Sequence, residues 1–213
     1  MPGAWASVYT VAVSQETPEV VAAEFGTLTG EASAFYQCVF ARADGPFSFV
    51  QLPQKRALYH LRIGEVAAAL PLAKHPTRDA YAEFGGELLS VDFVSVSFRK
   101  IPDIAATAGL TYAFLREFAV ERFVTDPAAK IIEASRWEQV VALLESGRAD
   151  LTIIPRETLD KLMALTEQSA FVQLAGTMPV SLYIADQFKD TPMSASIKEA
   201  VKACKRIEPV QER

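Results

Sequence analysis

The apolar positions of this chain alternate between short continuous runs and helical stripes. Runs rich in Val, Ile and Phe predict strands over residues 8–13, 47–52, 66–70, 92–98, 103–107, 130–133, 150–154 and 180–185. Between most of them the apolar positions recur at helical spacing. Strands alternating with helices predict βαβ units and a largely parallel sheet. The helices carry their own signals. Ser135 with Glu138 three residues on reads as a capping box. Trp137, Val140, Val141 and Leu144 then form an apolar stripe, and Gly147 follows as a left-handed cap. Thr191-Pro192 reads as an N-cap with proline at the first helical position, and Ile197, Val201 and Cys204 share the apolar face behind it. Gly30 opens another helix, with Ala32, Phe35 and Val39 on its stripe.

One pattern occurs twice. Leu61-Arg-Ile-Gly64-Glu-Val-Ala-Ala-Ala-Leu70 matches Leu144-Glu-Ser-Gly147-Arg-Ala-Asp-Leu-Thr-Ile153. Each is a helix end, a glycine, a charged residue and an apolar strand, and each follows a strand and a helix. The echo predicts two similar α/β lobes; the plainer reading is a common helix–Gly–strand connection met twice by chance. Ligands of open α/β sheets bind at the carboxyl ends of the strands. Two such lobes facing each other would form a cleft suited to enclosing a small molecule.

Composition narrows the function. Of 213 residues, half are hydrophobic and 22% charged, too apolar for a disordered chain. The net charge is −5 and the pI near 5.2, which argues against a nucleic-acid platform. The longest apolar stretch, near residues 66–73, falls far short of the roughly 20 residues that span a bilayer. Residues 1–7 lack the charged start and apolar core of a secretory leader, although Ala4-Trp5-Ala6 has a small-x-small pattern. The compartment is left open on the residues alone. His60 and His75 have no metal-spaced partner, and no nucleophile elbow, Walker loop or dinucleotide fingerprint occurs. The chain therefore reads as non-catalytic, without metal or cofactor.

Taken in order, several motifs resemble bacterial solute-binding protein family 3, the amino-acid-type receptors of ABC transporters. Tyr9-Thr-Val-Ala-Val13 resembles the opening strand, and Leu52-Pro-Gln-Lys-Arg56-Ala-Leu the family's Pro-Trp-x-Arg-Ala helix start. Leu61-x-x-Gly64 resembles its Leu-x-x-Gly turn, and His75-Pro-Thr-Arg78 with Phe84 its arginine segment. Ala108-Gly109-Leu110-Thr111 resembles the helix start of the second lobe, and Trp137 through Leu144-x-x-Gly147-Arg-Ala-Asp150 the family's second-lobe signature. The resemblance implies a two-lobed, type II periplasmic-binding-protein-like α/β fold with a two-strand hinge. Lobe 1 would be residues 1–97 with 184–213, and lobe 2 residues 98–183, with crossings near 95–99 and 181–186. It further implies a monomeric, periplasmic or extracytoplasmic receptor that captures a small carboxylate or amino-acid-like solute and delivers it to an ABC permease. A sensory module of the same fold, and a dehydratase-like enzyme using Glu16 or Glu157 as its acid, are the alternatives.

The same resemblance nominates site residues. Arg78 matches the arginine that grips the ligand carboxylate, for which a planar guanidinium is well suited; otherwise it is a surface arginine paired to Asp79 or Glu83. Thr111 would sit in a helix's first turn, where free N–H groups favour an anion; otherwise it is a plain N-cap. Ser14 and Glu16 follow the first strand and so reach the cleft edge by position, or form an ordinary polar loop. Gln54 replaces the family's tryptophan. Arg156 adds a second cation, or is a solvated residue at a helix start. The family's amino-group aspartate has no counterpart near Ile154-Pro155-Arg156-Glu157, unless Glu157 takes its place, so the resemblance points to a non-amino carboxylate or a degenerate site. Cys38 and Cys204 both fall in lobe 1 on apolar helix faces. They read first as two buried thiols; a disulfide would need Cα atoms within about 7 Å.

Overall fold

A computed structural model describes residues 8–17, 19–23 and 27–205. The Ala4-Trp5-Ala6 pattern and residues 206–213 fall outside the described residues. In chain order the elements are β1 (Tyr9–Ser14), β2 (Val21–Ala23), β3 (Thr27–Thr29), α1 (Ser33–Arg42), β4 (Phe47–Leu52), α2 (Gln54–Arg62), β5 (Ala68–Ala73), α3 (Pro76–Asp79), β6 (Ala82–Phe84) and β7 (Leu89–Ser97). There follow β8 (Thr111–Leu115), β9 (Lys130–Ala134), α4 (Trp137–Glu145), β10 (Thr152–Pro155), α5 (Leu159–Met163), β11 (Phe171–Ala185) and α6 (Pro192–Cys204). The chain divides into two compact units. Unit 1 takes the residues up to Ser90 and those from Pro179 on; unit 2 is Val91–Met178.

In unit 1, β1 lies between β4 and β5, parallel to both: Tyr9 pairs with Phe47, Ser14 with Leu52 and Val13 with Leu70. The carboxyl ends of all three strands therefore lie on one edge. β11 runs antiparallel to β5, and β6 antiparallel to β11. Pro71 has no N–H to give the ladder, and the register of β11 shifts opposite it, between Ser181 and Tyr183. Alternation sends Val11 and Val13 to one face and Ala12 to the other, so the sheet has two cores. On one face Tyr36 and Val39 of α1 pack with Ile197 and Val201 of α6. On the other, Ala57, Leu58 and Leu61 of α2 pack with Ala69 and Tyr183.

That arrangement corrects the two-thiol reading of Cys38 and Cys204. Because α1 and α6 lie side by side on one core, their Cα atoms come within 5.9 Å and the sulfurs form a disulfide. The Thr191 cap is present: its Oγ1 accepts the Ser194 N–H at 3.2 Å, with Pro192 opening α6.

In unit 2, β8 and β9 are parallel, Thr111 pairing with Lys130 and Leu115 with Ala134. Tyr112 makes a parallel bridge to Leu151, and β10 is antiparallel to β7. Val94, Val96, Val141, Ile154 and Leu162 form the core, with Trp137 against it. The strand expected over 103–107 is absent. The Asp103 carboxylate accepts the Ala106 N–H at 3.1 Å, and its carbonyl accepts the Thr107 hydroxyl at 2.6 Å, local bonds that compete with a ladder. The expected capping box is displaced by one residue: Arg136 is the N-cap of α4, and the Gln139 side chain, rather than Glu138, reaches back to accept the Ser135 N–H at 2.9 Å.

The repeated pattern is the same local structure twice. Gly64 and Gly147 have φ of 74° and 66°. In each, the residue after the glycine donates to the carbonyl five residues earlier: Glu65 to His60 at 2.9 Å, and Arg148 to Leu143 at 3.0 Å.

Candidate functional site

Three nominated residues of unit 1 meet at the carboxyl end of β1. Ser14, 1% exposed, ends that strand, and its hydroxyl lies 3.2 Å from Glu16 Oε2 and 3.4 Å from Gln54 Oε1. Glu16 Oε2 also accepts the Gln54 backbone N–H at 2.8 Å. That donor is the first N–H of α2, whose N-cap Pro53 has no side chain to offer it. Glu16 thereby caps α2 with a carboxylate at the positive end of the helix. The turn is fixed from β4: Gln15 N–H donates to the Leu52 carbonyl at 2.9 Å, and Gln51 Nε2 to the Ser14 carbonyl at 3.0 Å. Gln51, absent from the nominated set, also accepts the Ala22 N–H at 2.6 Å and so ties β2 to this corner. Nothing in its sequence context distinguishes it from any strand glutamine.

Arg78 is on the short helix α3 and is only 4% exposed, so it is not a surface arginine. Its Nη1 donates to the Ala73 carbonyl at 2.7 Å. Ala73 ends β5, next to β1, so Arg78 belongs to the same strand edge as Ser14, Glu16 and Gln54. Glu83 is taken up by Lys198 at 2.9 Å and Ser194 at 3.2 Å. Asp79 accepts the buried Tyr183 hydroxyl at 2.8 Å, and that hydroxyl in turn accepts the His75 N–H at 2.9 Å. Burial first, and then the bond to Asp79, push the Tyr183 phenol up from 10.0, against a lowering by its bond to His75. Tyr183 is the residue that sequence reasoning missed here: it fixes both ends of the segment carrying Arg78.

The expectation for Thr111 is corrected. It opens the strand β8 rather than a helix, and its N–H is already taken by Asp150 Oδ2 at 2.7 Å. The Asp150 N–H returns a bond to the Thr111 carbonyl at 2.7 Å, and Arg99 pairs with the same carboxylate. Thr111 thus stands at the amino end of β8 with no free helix N-terminus. The carboxyl end of β8 is Leu115, followed by Arg116 and by Glu117 at φ 63°. The run Tyr112-Ala-Phe-Leu115 is the strand signal that could have shown this. Arg156 is exposed and begins a single 3-10 turn directly after β10, at the carboxyl end of that strand. Burial, followed by the charges of Asp126 and Asp150, pushes the Tyr112 phenol up. Among the described residues no three of His, Cys, Asp and Glu gather into a group that could hold a metal ion. No described helix is long and apolar enough to cross a membrane.

No family model matches the sequence, and no curated protein matches it. Solved structures do. The Bordetella pertussis BvgS periplasmic VFT2 domain superposes with a TM-score of 0.69 at 17% identity, over 93% of this chain and 92% of that one. This chain has the type II periplasmic-binding-protein fold. The substrate binding protein of an amino acid ABC transporter shares that fold with a TM-score of 0.71 at 13% identity, over 93% of each chain. So does an ancestral amino acid-binding protein, a precursor of cyclohexadienyl dehydratase, at 0.68 and 15%, over 93% of this chain and 89% of that one. Chains of this fold thus include amino-acid-binding proteins and a precursor of an enzyme, and the fold by itself does not choose a role.

Proposed function

We propose that this chain is a non-catalytic, extracytoplasmic solute-binding protein of the amino-acid-receptor type, which captures a small carboxylate-bearing solute and hands it to an ABC permease. The observation that carries the proposal is Arg78: a guanidinium 4% exposed, oriented by the Ala73 carbonyl, at the strand edge that also carries Ser14, Glu16 and Gln54. A planar guanidinium can give a ligand carboxylate two parallel charge-assisted bonds. The Cys38–Cys204 disulfide supports an oxidising compartment. The likeness to the substrate binding protein of an amino acid ABC transporter supports delivery to a permease. A sensory role is the second reading, favoured by the likeness to the BvgS periplasmic domain. An enzymatic role draws on the likeness to the dehydratase precursor; it needs a free acid, and Glu16 already holds the first N–H of α2.

A thermal-shift screen of amino acids, small carboxylates, polyamines and sugars tests the proposal. A ligand at about 100 times its Kd adds roughly 2.7 kcal/mol of stability. The expected result is a shift from one carboxylate class that disappears in Arg78→Lys, which keeps the charge and loses the planar fork. Turnover of any ligand that binds would overturn the non-catalytic reading.

A further inference from the structure

We propose that the outer face of α2 is a docking surface for an anionic membrane, with Lys55, Arg56 and Arg62 supplying the attraction and Tyr59 and Ile63 the contact between them. Such a surface acts independently of any solute held at Arg78.

Helical spacing puts these five side chains on one stripe. Ala57, Leu58 and Leu61 turn the other face of α2 into the core beside Ala69 and Tyr183. Lys55, Arg56, Tyr59 and Arg62, with Ile63 at the helix end, then fall together on the outside, and all five are exposed. Tyr59 is 59% exposed and Ile63 45%. The helix carries no Asp or Glu. Among the described residues none of the three cations forms an ion pair. The Arg62 guanidinium lies 4.6 Å over the Tyr81 ring instead. Glu65, the first acid past the helix, is taken up by His60.

Folding does not explain this face. Lys55 and Arg56 stand in the first turn of α2, where the positive end of the helix disfavours cations. Tyr59 and Ile63 leave in water apolar surface that the core does not use. An anionic lipid surface accounts for both. It attracts each basic residue near it, and a tyrosine suits the headgroup level, with its ring in apolar surroundings and its hydroxyl in water. A single helix face is convex, so it meets a broad deformable plane more readily than a shaped pocket. Because its apolar side is committed to the core, α2 lies on the membrane and does not insert. The whole chain carries −5, so an anionic surface repels the molecule at large and selects the orientation in which α2 faces it.

The test is co-sedimentation of the full chain with vesicles of phosphatidylcholine alone and of phosphatidylcholine mixed with phosphatidylglycerol. It is run at low salt and at about 1 M salt, where the Debye length is about 3 Å. The expected result is binding to the mixed vesicles only, lost at high salt. Lys55→Gln with Arg56→Gln should weaken that binding at least tenfold, since each basic residue near such a surface is worth about fivefold. Tyr59→Ser should weaken it further. Lys130→Gln with Arg148→Gln, an equal charge change on exposed residues of unit 2, should leave it unchanged. Urea unfolding should find the α2 double variant at least as stable as the wild type, because two cations leave the helix start. A loss of stability would assign Lys55 and Arg56 to folding and overturn the proposal. So would binding to neither vesicle, equal binding to both, or equal losses in the two double variants. Polyglutamate is titrated alongside: if it binds while the vesicles do not, the face belongs to an acidic protein and the lipid proposal is overturned.

Discussion

At the residue scale, the polar groups that matter are those buried with assigned partners. Tyr183 is fully buried, and its hydroxyl links the His75 N–H to the Asp79 carboxylate. Tyr183→Phe keeps the ring and removes the hydroxyl that the half-buried His75 N–H and the exposed Asp79 carboxylate share, so it should cost about 1 kcal/mol in urea unfolding. It should also weaken ligand binding through the segment bearing Arg78. Tyr36 donates to the Ser181 carbonyl at 3.2 Å, and burial pushes its phenol up. Below pH 10 the folded and unfolded chains both keep this proton. Above that pH the unfolded chain loses it first, so stability falls as pH rises. An alkaline unfolding series should show this decline, and Tyr36→Phe should make it less steep. Ser14 and Glu16 were legible as candidates from their place after the first strand, and Gln54 from its place in the resembled family's helix-start motif. Their convergence was not, because Ser14 and Gln54 are far apart in sequence and meet only through the pairing of β1 with β4. Gln51 and Tyr183 carried no signal at all: a strand glutamine and a strand tyrosine look the same whether or not they orient a neighbour.

At the element scale, helix ends were the most readable feature. Gly64 and Gly147 were expected to cap helices, and both adopt the left-handed conformation. The two differ in their surroundings. A Cβ at Gly147 would meet nothing within 4 Å, whereas one at Gly64 would collide with the Gln187 side chain. Gly147→Ala should therefore cost about 1–2 kcal/mol from backbone strain alone, and Gly64→Ala more, as thermal unfolding of the two variants would show. The disulfide joins α1 to α6 across a sequence separation of 166 residues. Its removal by Cys38→Ser with Cys204→Ser should lower stability by about 2–5 kcal/mol in denaturant titration. Sequence could not choose the disulfide over free thiols, because an apolar helix face suits either and only the packing of α1 on α6 sets the distance. Thr111 was misplaced for a related reason: glycine followed by a hydroxyl residue reads as a helix start, but the apolar run behind it is paired with β9 and becomes a strand.

For the whole molecule, alternating strands and helices with a doubled helix–Gly–strand pattern were enough to indicate an α/β architecture, and the order of the motifs indicated the type II binding-protein fold. Solved structures at 13–17% identity carry the same fold. The ligand was far less legible. Recognition depends on a few side chains brought to a strand edge, and this sequence keeps the arginine of the resembled family while replacing several of its other contacts. The central claim is that Arg78 anchors a carboxylate-bearing solute. Calorimetric titration of wild type and Arg78→Lys against the compound giving the largest thermal shift tests it most directly. The account predicts saturable one-to-one binding by the wild type and at least a tenfold loss in the variant. An unchanged Kd in the variant, or no compound that binds the wild type, would contradict it.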